Sequence, residues 1–264
     1  MRKTYLDKIF EVGTSYKTHE RVAYIIKKLG TNDTSSIYLK IQNWVTGNLI
    51  QNVAPAYKTD STNIGPLNLE GLYYVIPPKT DFSVVGTSGK YMRAIGYVLL
   101  LDPGEVLPAE HQSRFQAQFN SYKTYVTGTY DFGSATAWSA GDEVELYSLT
   151  PKTNETYIFN DLLLIEYSGF TANPGDVTIQ FYIDNNPLEY LYDSSVNPGI
   201  DLLSIPSYSG VSANEDVFKL RDLPIELEGD HTLKITAKNV SGADISLSSA
   251  SITLYAVVQY HRKG

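Results

Sequence analysis

The carboxylates are the residues of this chain best placed to do chemistry, because they come in close sets. Asp142, Glu143 and Glu145 lie almost side by side, Glu215 and Asp216 are neighbours, and Asp184 opens an Asp-Asn-Asn turn. Glu226, Glu228 and Asp230 form a further set. Alternate residues of a strand share a face, so Glu143 with Glu145, and Glu226 with Glu228, would present paired acids. Paired acids can form a glycosidase dyad or offer the hard oxygens that calcium takes; more often they are a solvated face. Asp142, Glu143, Glu145, Asp184, Glu215 and Asp216 are the candidate calcium ligands. Calcium is the one ion in view, and no cofactor is required.

Other chemistries lack their residues. No Gly-x-Ser-x-Gly elbow occurs. Gly86-Thr87-Ser88-Gly89-Lys90 resembles the end of a phosphate loop, but the leading glycine is missing and Tyr91 stands where a magnesium-holding Ser or Thr is needed. It reads as a hairpin turn. The four histidines, His19, His111, His231 and His261, are isolated from one another. There is no cysteine, which excludes thiol catalysis, thiolate metal sites and disulfides. The chain therefore reads as a non-enzyme. Asn-x-Ser/Thr sequons start at Asn32, Asn154 and Asn239. Asn32 and Asn239 fall in expected turns and should be accessible.

The formal charge of −8 argues against sequence-specific nucleic-acid binding, which needs clustered Lys and Arg. The basic residues are scattered except at the ends, Arg2-Lys3 and Arg262-Lys263. Residues 1–8 hold no apolar core of a signal peptide. No apolar run approaches the ~18 residues of a membrane span. These features describe a soluble chain.

The acids would be positioned by strands, because the dominant period is two. Ile37, Leu39 and Ile41 alternate with polar residues, as do Leu233, Ile235 and Ala237, and then Ile252, Leu254, Ala256 and Val258. Gly, Asn and Pro clusters punctuate the runs, which argues for sandwiches or barrels. The segment 5–10 could be helix or strand; its match to 125–130 favours strand. Residues 108–119 differ: Pro and an acid lead, no β-branched residue follows, and Phe115 and Phe119 share a helical face. This predicts a short helix pinned by the two rings. Two long, poorly periodic segments, about 47–68 and 193–216, carry apolar residues and should pack on something. Tyrosine is abundant, 21 against 9 Phe, which suits strands and interfaces.

The strands come in two series. Lys3-Thr4-Tyr5-Leu6 is echoed by Lys123-Thr124-Tyr125-Val126, and residues 37–43 by 179–185. Residues 82–85 are echoed by 233–236, and 96–99 by 254–257. The order is the same in both halves while the offset grows from 120 to 142 and then 158, as expected of a duplicated unit whose second copy gained loop insertions. The expected architecture is all-β: two tandem jelly-roll or β-sandwich units from an internal duplication, over 1–107 and 121–264, with a connecting helix over 108–120.

A duplicated all-β unit of this kind, with echoes 37–43/179–185 and 82–101/233–258 and a helix over 108–119, resembles the double jelly-roll major capsid proteins of tailless, membrane-containing icosahedral viruses. The compact corticovirus-type phage proteins are nearest in size. The resemblance covers the whole chain but is architectural and carries no diagnostic motif. It implies a non-enzymatic coat protein in the virion, made in the host cytoplasm. It implies homotrimers that tile a pseudo-hexagonal lattice, contacts with other virion proteins, and an inner membrane below. Arg2, Lys3, Arg262 and Lys263 would suit its anionic lipid, and calcium would cement acidic loops. Many members are larger and carry more helix around each barrel.

Two other readings stay open. One is a vertex or spike protein with two sandwiches. The other is a tandem carbohydrate-binding module with Trp44 and Trp138 as stacking platforms, although Asn186 stands at the position in the second series that Trp44 holds in the first.

Overall fold

The computed structural model describes residues 1–33, 37–45, 67–160, 163–189, 199–205 and 223–264. Of the long segments expected to pack, 47–66, 193–198 and 206–216 lie outside these residues, with Glu215 and Asp216 among them, while within 199–205 Leu202 and Ile205 are buried in the second core, as expected.

The described residues are all-β with one α-helix, α1 (Ala109–Ala117), between two sets of strands. The first set is β1 (Arg2–Glu11), β2 (Ser15–Lys17), β3 (Val22–Thr31), β4 (Tyr38–Ile41), β5 (Trp44–Val45), β6 (Leu67–Asn68), β7 (Tyr74–Ile76), β8 (Asp81–Val85) and β9 (Tyr91–Leu100). One sheet runs β1-β9-β3, with β6 and β7 both paired to the far side of β3; the other runs β2-β8-β4-β5. Counting β6 with β7 as one strand, the orders are 1-8-3-6 and 2-7-4-5, which is a jelly roll.

The second set is β10 (Ser121–Asp131), β11 (Ala137–Trp138), β12 (Glu143–Leu149), β13 (Glu155–Phe159), β14 (Leu163–Ser168), β15 (Val177–Ile183), β16 (Asn186–Pro187), β17 (Ile200–Asp201), β18 (Ile225–Glu228), β19 (Leu233–Asn239), β20 (Ile245–Ser246) and β21 (Ser251–Arg262). Here β13 and β14 share one side of β21, and β16 and β17 share one side of β15. With each of those pairs counted as one strand, and the small β11-β20 pair set aside, the sheets again run 1-8-3-6 and 2-7-4-5. The four echoed segments fall on equivalent strands: β1 with β10, β4 with β15, β8 with β19, and β9 with β21. The turn after β4 joins Ile41 to Trp44, and the turn after β15 joins Ile183 to Asn186.

Alternation builds each core. Leu6, Phe10, Ile26, Leu39, Ile41, Val84 and Met92 fill the first sandwich. Ile179, Phe181, Leu233, Ile235, Ile252, Leu254 and Val258 fill the second. Gly128 lets the two sheets of the second sandwich close at their edge: a Cβ there would lie 2.0 Å from the Leu146 carbonyl oxygen, beside the β12 bulge between Glu145 and Tyr147.

The helix adds a third layer. Ala23, Ile25, Val75, Leu99 and Leu107 form a cluster on the outer face of the β1-β9-β3 sheet, and Phe115 packs on it. Yet the side chains of α1 that are buried are His111 and Arg114, followed by Gln118 just beyond the helix. The inward face is therefore more polar than the Phe115/Phe119 spacing predicts, and polar atoms there must find partners.

Candidate functional site

The predicted acids that lie among the described residues, Asp142, Glu143, Glu145 and Asp184, do not converge. Asp142 precedes β12, and its carbonyl accepts bonds from Trp138 Nε1 (3.1 Å) and the Asn239 N–H (3.0 Å). Glu143 and Glu145 are exposed on β12, opposite Lys238 and Thr236. Asp184 lies at the other end of the sandwich, since Ile183 pairs with Leu233 at the start of β19 and Glu143 with Lys238 near its end. With Asn185 it takes left-handed φ values of 51° and 64°, a two-residue hairpin turn. Its carboxylate accepts the Thr232 N–H at 2.9 Å and lies 2.6 Å from His231 Nδ1. That contact holds the Asp184 carboxyl below its ordinary value and raises His231. Among the described residues no group of three or more His, Asp or Glu is gathered to hold a metal ion.

The basic ends sit where the first strand of each sandwich begins and the last one finishes. Arg2 lines a recess with His19, Arg21 and Asp102. Lys3 lies over the Tyr97 ring, 5.0 Å from its centroid. Arg262 is opposite Glu155 on β13, and the Lys263 N–H bonds the Asn154 carbonyl.

Neither tryptophan is an open platform. Trp138 is 2% exposed and packs against Phe132 and Phe170. Trp44 is half-buried, edge-on to Phe119 (4.9 Å) and Tyr122 (5.8 Å). Asn239, expected in an accessible turn, is fully buried and donates to the carbonyls of Trp138 and Ala243. Its amide ties the loop before β12 to the loop after β19. A cleft of about 710 Å³ opens nearby, lined by residues that include Phe170, Asn173, Asp176, Ser241 and Asp244. Those side chains serve the loops: Asp176 accepts from Asn173, Asp244 from the Ala140 N–H, and Ser241 donates to Asn239.

The densest polar arrangement lies between the sandwiches. Arg114 donates to the carbonyls of Tyr73 (2.7 Å) and Leu72 (2.9 Å) on one side and Ser121 (2.9 Å) on the other. Burial lowers its guanidinium below the ordinary value. Gln118 meets the outer backbone of β7 as a strand would: it accepts the Val75 N–H at 2.8 Å and donates to the Val75 carbonyl at 3.0 Å. An edge strand is thereby capped. His111 Nδ1 is 3.0 Å from the Tyr73 hydroxyl and Nε2 is 3.2 Å from that of Tyr97. Lys123, 1% exposed, reaches from β10 to the Asn68 carbonyl at 3.0 Å and the Glu70 carboxylate at 3.6 Å. Sequence reasoning missed this joint. The available signal was the spacing of His111, Arg114 and Gln118, which share one helical face.

No family model matches the chain, nor does any curated protein. Overlays on solved structures are weak. A triple jelly-roll structure from an archaeal virus turret gives a TM-score of 0.25 at 11% identity, over 98% of this chain and 56% of that one. This chain thus spans just over half its length. The ectodomain of ANXUR2 from Arabidopsis thaliana gives 0.28 at 8% identity, over 98% and 83%. An infectious bursal disease virus structure gives 0.24 at 12% identity, over 100% and 77%. Likeness at this level carries no argument about function, which has to be read from this chain's own strand order and joint.

Proposed function

We propose that the chain is a virion coat protein: a double jelly roll, in units 1–107 and 121–264 joined by 108–120, that forms homotrimers and tiles an icosahedral shell over an internal membrane. The observation that carries the reading is the repetition of one strand order in two sandwiches locked by a buried joint. Two similar sandwiches per chain give a three-fold assembly six similar edges, which is what a hexagonal lattice needs. Jelly rolls also build lectin domains, so the fold alone does not choose. The hydrogen-bonded, buried pairing of the two units does favour a building block, because a tethered tandem binder has no need of it. Arg2, Lys3, Arg262 and Lys263 face anionic lipid, at about 1 kcal/mol per charge. Calcium, where it binds, joins the exposed Glu143 and Glu145 of one copy to acids of a neighbour.

Light scattering of the purified protein, with and without chelator, tests this. The expected result is a trimer near three times 29.4 kDa, with larger assemblies lost on chelation. A monomer under all conditions overturns the reading.

The cleft beside Phe170 is the one observation in favour of a carbohydrate-binding module. Titration with a panel of oligosaccharides, read by chemical shifts of the lining residues, decides it.

A further inference from the structure

Three neighbouring strands build the recess at the beginning of β1, which has a volume of about 490 Å³. Arg2 on β1 and Val22 on β3 stand on either side of Leu100, the last residue of β9. His19 and Arg21 precede β3, and the backbone fixes both. The Leu101 N–H donates to the Arg21 carbonyl at 2.9 Å, and the Val22 N–H to that of His19 at 3.1 Å. Val22, Leu100 and Leu101 give the recess an apolar wall; Arg2, His19, Arg21 and Asp102 supply its polar groups. Arg2 and Arg21 are exposed, and among the described residues no carboxylate lies within ion-pair distance of either. Both guanidiniums are open to a ligand.

The acid side is equally well placed. Asp102 opens a turn that closes on itself: the Glu105 N–H donates to the Asp102 carbonyl at 3.0 Å, and the Asp102 N–H to the Glu105 carboxylate at 2.8 Å. Both carboxylates meet the Met1 ammonium, at 2.6 and 2.8 Å. That ammonium holds the Asp102 carboxyl below its ordinary value, and Arg21 and Arg2 add to the effect, which places both guanidiniums near it. One recess thus joins two unpaired guanidiniums to a carboxylate pair that already takes a primary ammonium.

We propose that this recess binds a phosphoethanolamine group, as the headgroup of phosphatidylethanolamine, with its phosphate on Arg2 and Arg21 and its ammonium on Asp102, beside Glu105. Planar guanidiniums match phosphate oxygens in pairs. A primary ammonium brings three N–H donors to the carboxylates, whereas the choline nitrogen brings none. The described residues that line the recess include no Trp, Tyr or Phe, so the aromatic cage that suits a choline head is missing. Val22, Leu100 and Leu101 meet the first carbons beyond the phosphate. The ligand's ammonium competes with that of Met1, so each contact is weak and reversible, and many copies on one surface add up. The inference rests on the reading above that this end of the chain faces a membrane. It deepens that reading from a general attraction for charge to the choice of a headgroup.

The test has two arms, each run on the full chain and on Arg21→Gln, Asp102→Asn and Lys8→Gln, the last an exposed cation lost elsewhere on β1. All three are surface sites, and melting curves check that each variant is folded. The first arm titrates soluble O-phosphoethanolamine and follows backbone amide shifts. The expected shifts are confined to residues 19–22 and 100–105 and saturate at about millimolar ligand; affinity is at least about fivefold weaker in Arg21→Gln and Asp102→Asn and unchanged in Lys8→Gln. The second arm floats the protein with three kinds of vesicle: phosphatidylcholine alone, or mixed with phosphatidylethanolamine or with phosphatidylglycerol. The expected result is a preference for the phosphatidylethanolamine mixture over phosphatidylcholine alone, lost in Arg21→Gln and Asp102→Asn. Asp102→Asn should at the same time bind the phosphatidylglycerol mixture more strongly, because it removes a negative charge, so its lost preference is not a loss of general attraction. Shifts that are absent, or equal in all three variants, overturn the proposal. Shifts without a vesicle preference assign the recess to a free phosphoethanolamine solute and overturn the lipid source. Neither failure touches the coat reading, which the light scattering above decides.

Discussion

The ammonium of Lys123 lies 3.6 Å from the Glu70 carboxylate across the joint between the sandwiches, and it donates to the Asn68 carbonyl at 3.0 Å. Among the described residues Lys3, its echo, meets the Tyr97 ring and no carboxylate or carbonyl. The same residue type in equivalent strands therefore carries different energies. Lys123→Met keeps the aliphatic stem and removes the charge-assisted bonds, and it should cost about 2 kcal/mol. Glu70 is too exposed to add much to that figure. Lys3→Met in dilute, unassembled protein should stay within about 0.5 kcal/mol of wild type. Urea unfolding of the two variants side by side measures the contrast.

Gln118 and Val75 make a second prediction. The side-chain amide satisfies both outward backbone groups of Val75 on an edge strand. Gln118→Leu matches the volume and leaves a buried N–H and C=O without partners. At about 1–3 kcal/mol for each of the two orphans, the loss should reach about 2–6 kcal/mol. Hydrogen exchange should localise it: the Val75 amide, protected in the wild type, should exchange early in the variant.

Trp138 supports the loop end of the second sandwich. Its ring packs on Phe132 and Phe170, and its N–H bonds the Asp142 carbonyl. Trp138→Ala should cost about 3–5 kcal/mol, as large core truncations do, and should also loosen the turn that leads into Glu143. Thermal melting reads the first effect, and proteolysis near residue 142 the second.

The strands and their inward faces were legible because alternation survives translation into burial, whereas the strand order was not. Leu233, Ile235 and Ala237 turn inward as their spacing says, and each of the four echoed segments lies on an equivalent strand. The register is looser than the echo: Tyr5 opposes Tyr97, whereas Tyr125 opposes Val257 and Tyr255 opposes Thr127, a slip of two residues that preserves the face. The helix was legible from its lack of β-branched residues, but its inward face was not. Phe115 and Phe119 drew attention as the apolar pair, while His111, Arg114 and Gln118 find partners at Leu72, Tyr73, Val75 and Tyr97, which pattern within a helix cannot show. For the acids, alternation on β12 was readable, but the commitment of Asp184 to His231, 47 residues away, was not. Asn239 misled for a related reason: a strand end followed by Ser-Gly looks like an exposed turn, yet its amide is the buried tie between two loops.

The pH dependence of stability should carry the mark of His111. Burial lowers its pKa from the ordinary 6.5, with Lys27 and Lys3 adding to the effect and Glu110 opposing it. The phenols of Tyr73 and Tyr97 contact both ring nitrogens, so the neutral ring is accommodated. The unfolded imidazole takes up a proton near pH 6.5, and the folded one only at lower pH. Between those values protons bind the unfolded chain preferentially, so stability is full above about pH 6.5 and declines as pH falls. His261, also lowered by burial, acts in the same direction. His231, raised by Asp184, acts oppositely: its contribution is full below about pH 6.5 and fades as pH rises. His111→Gln retains hydrogen bonding to the phenols and does not titrate. Its melting temperature should fall less than that of the wild type between pH 7.5 and pH 5.5. An equal fall in both proteins would assign the acid limb to other groups.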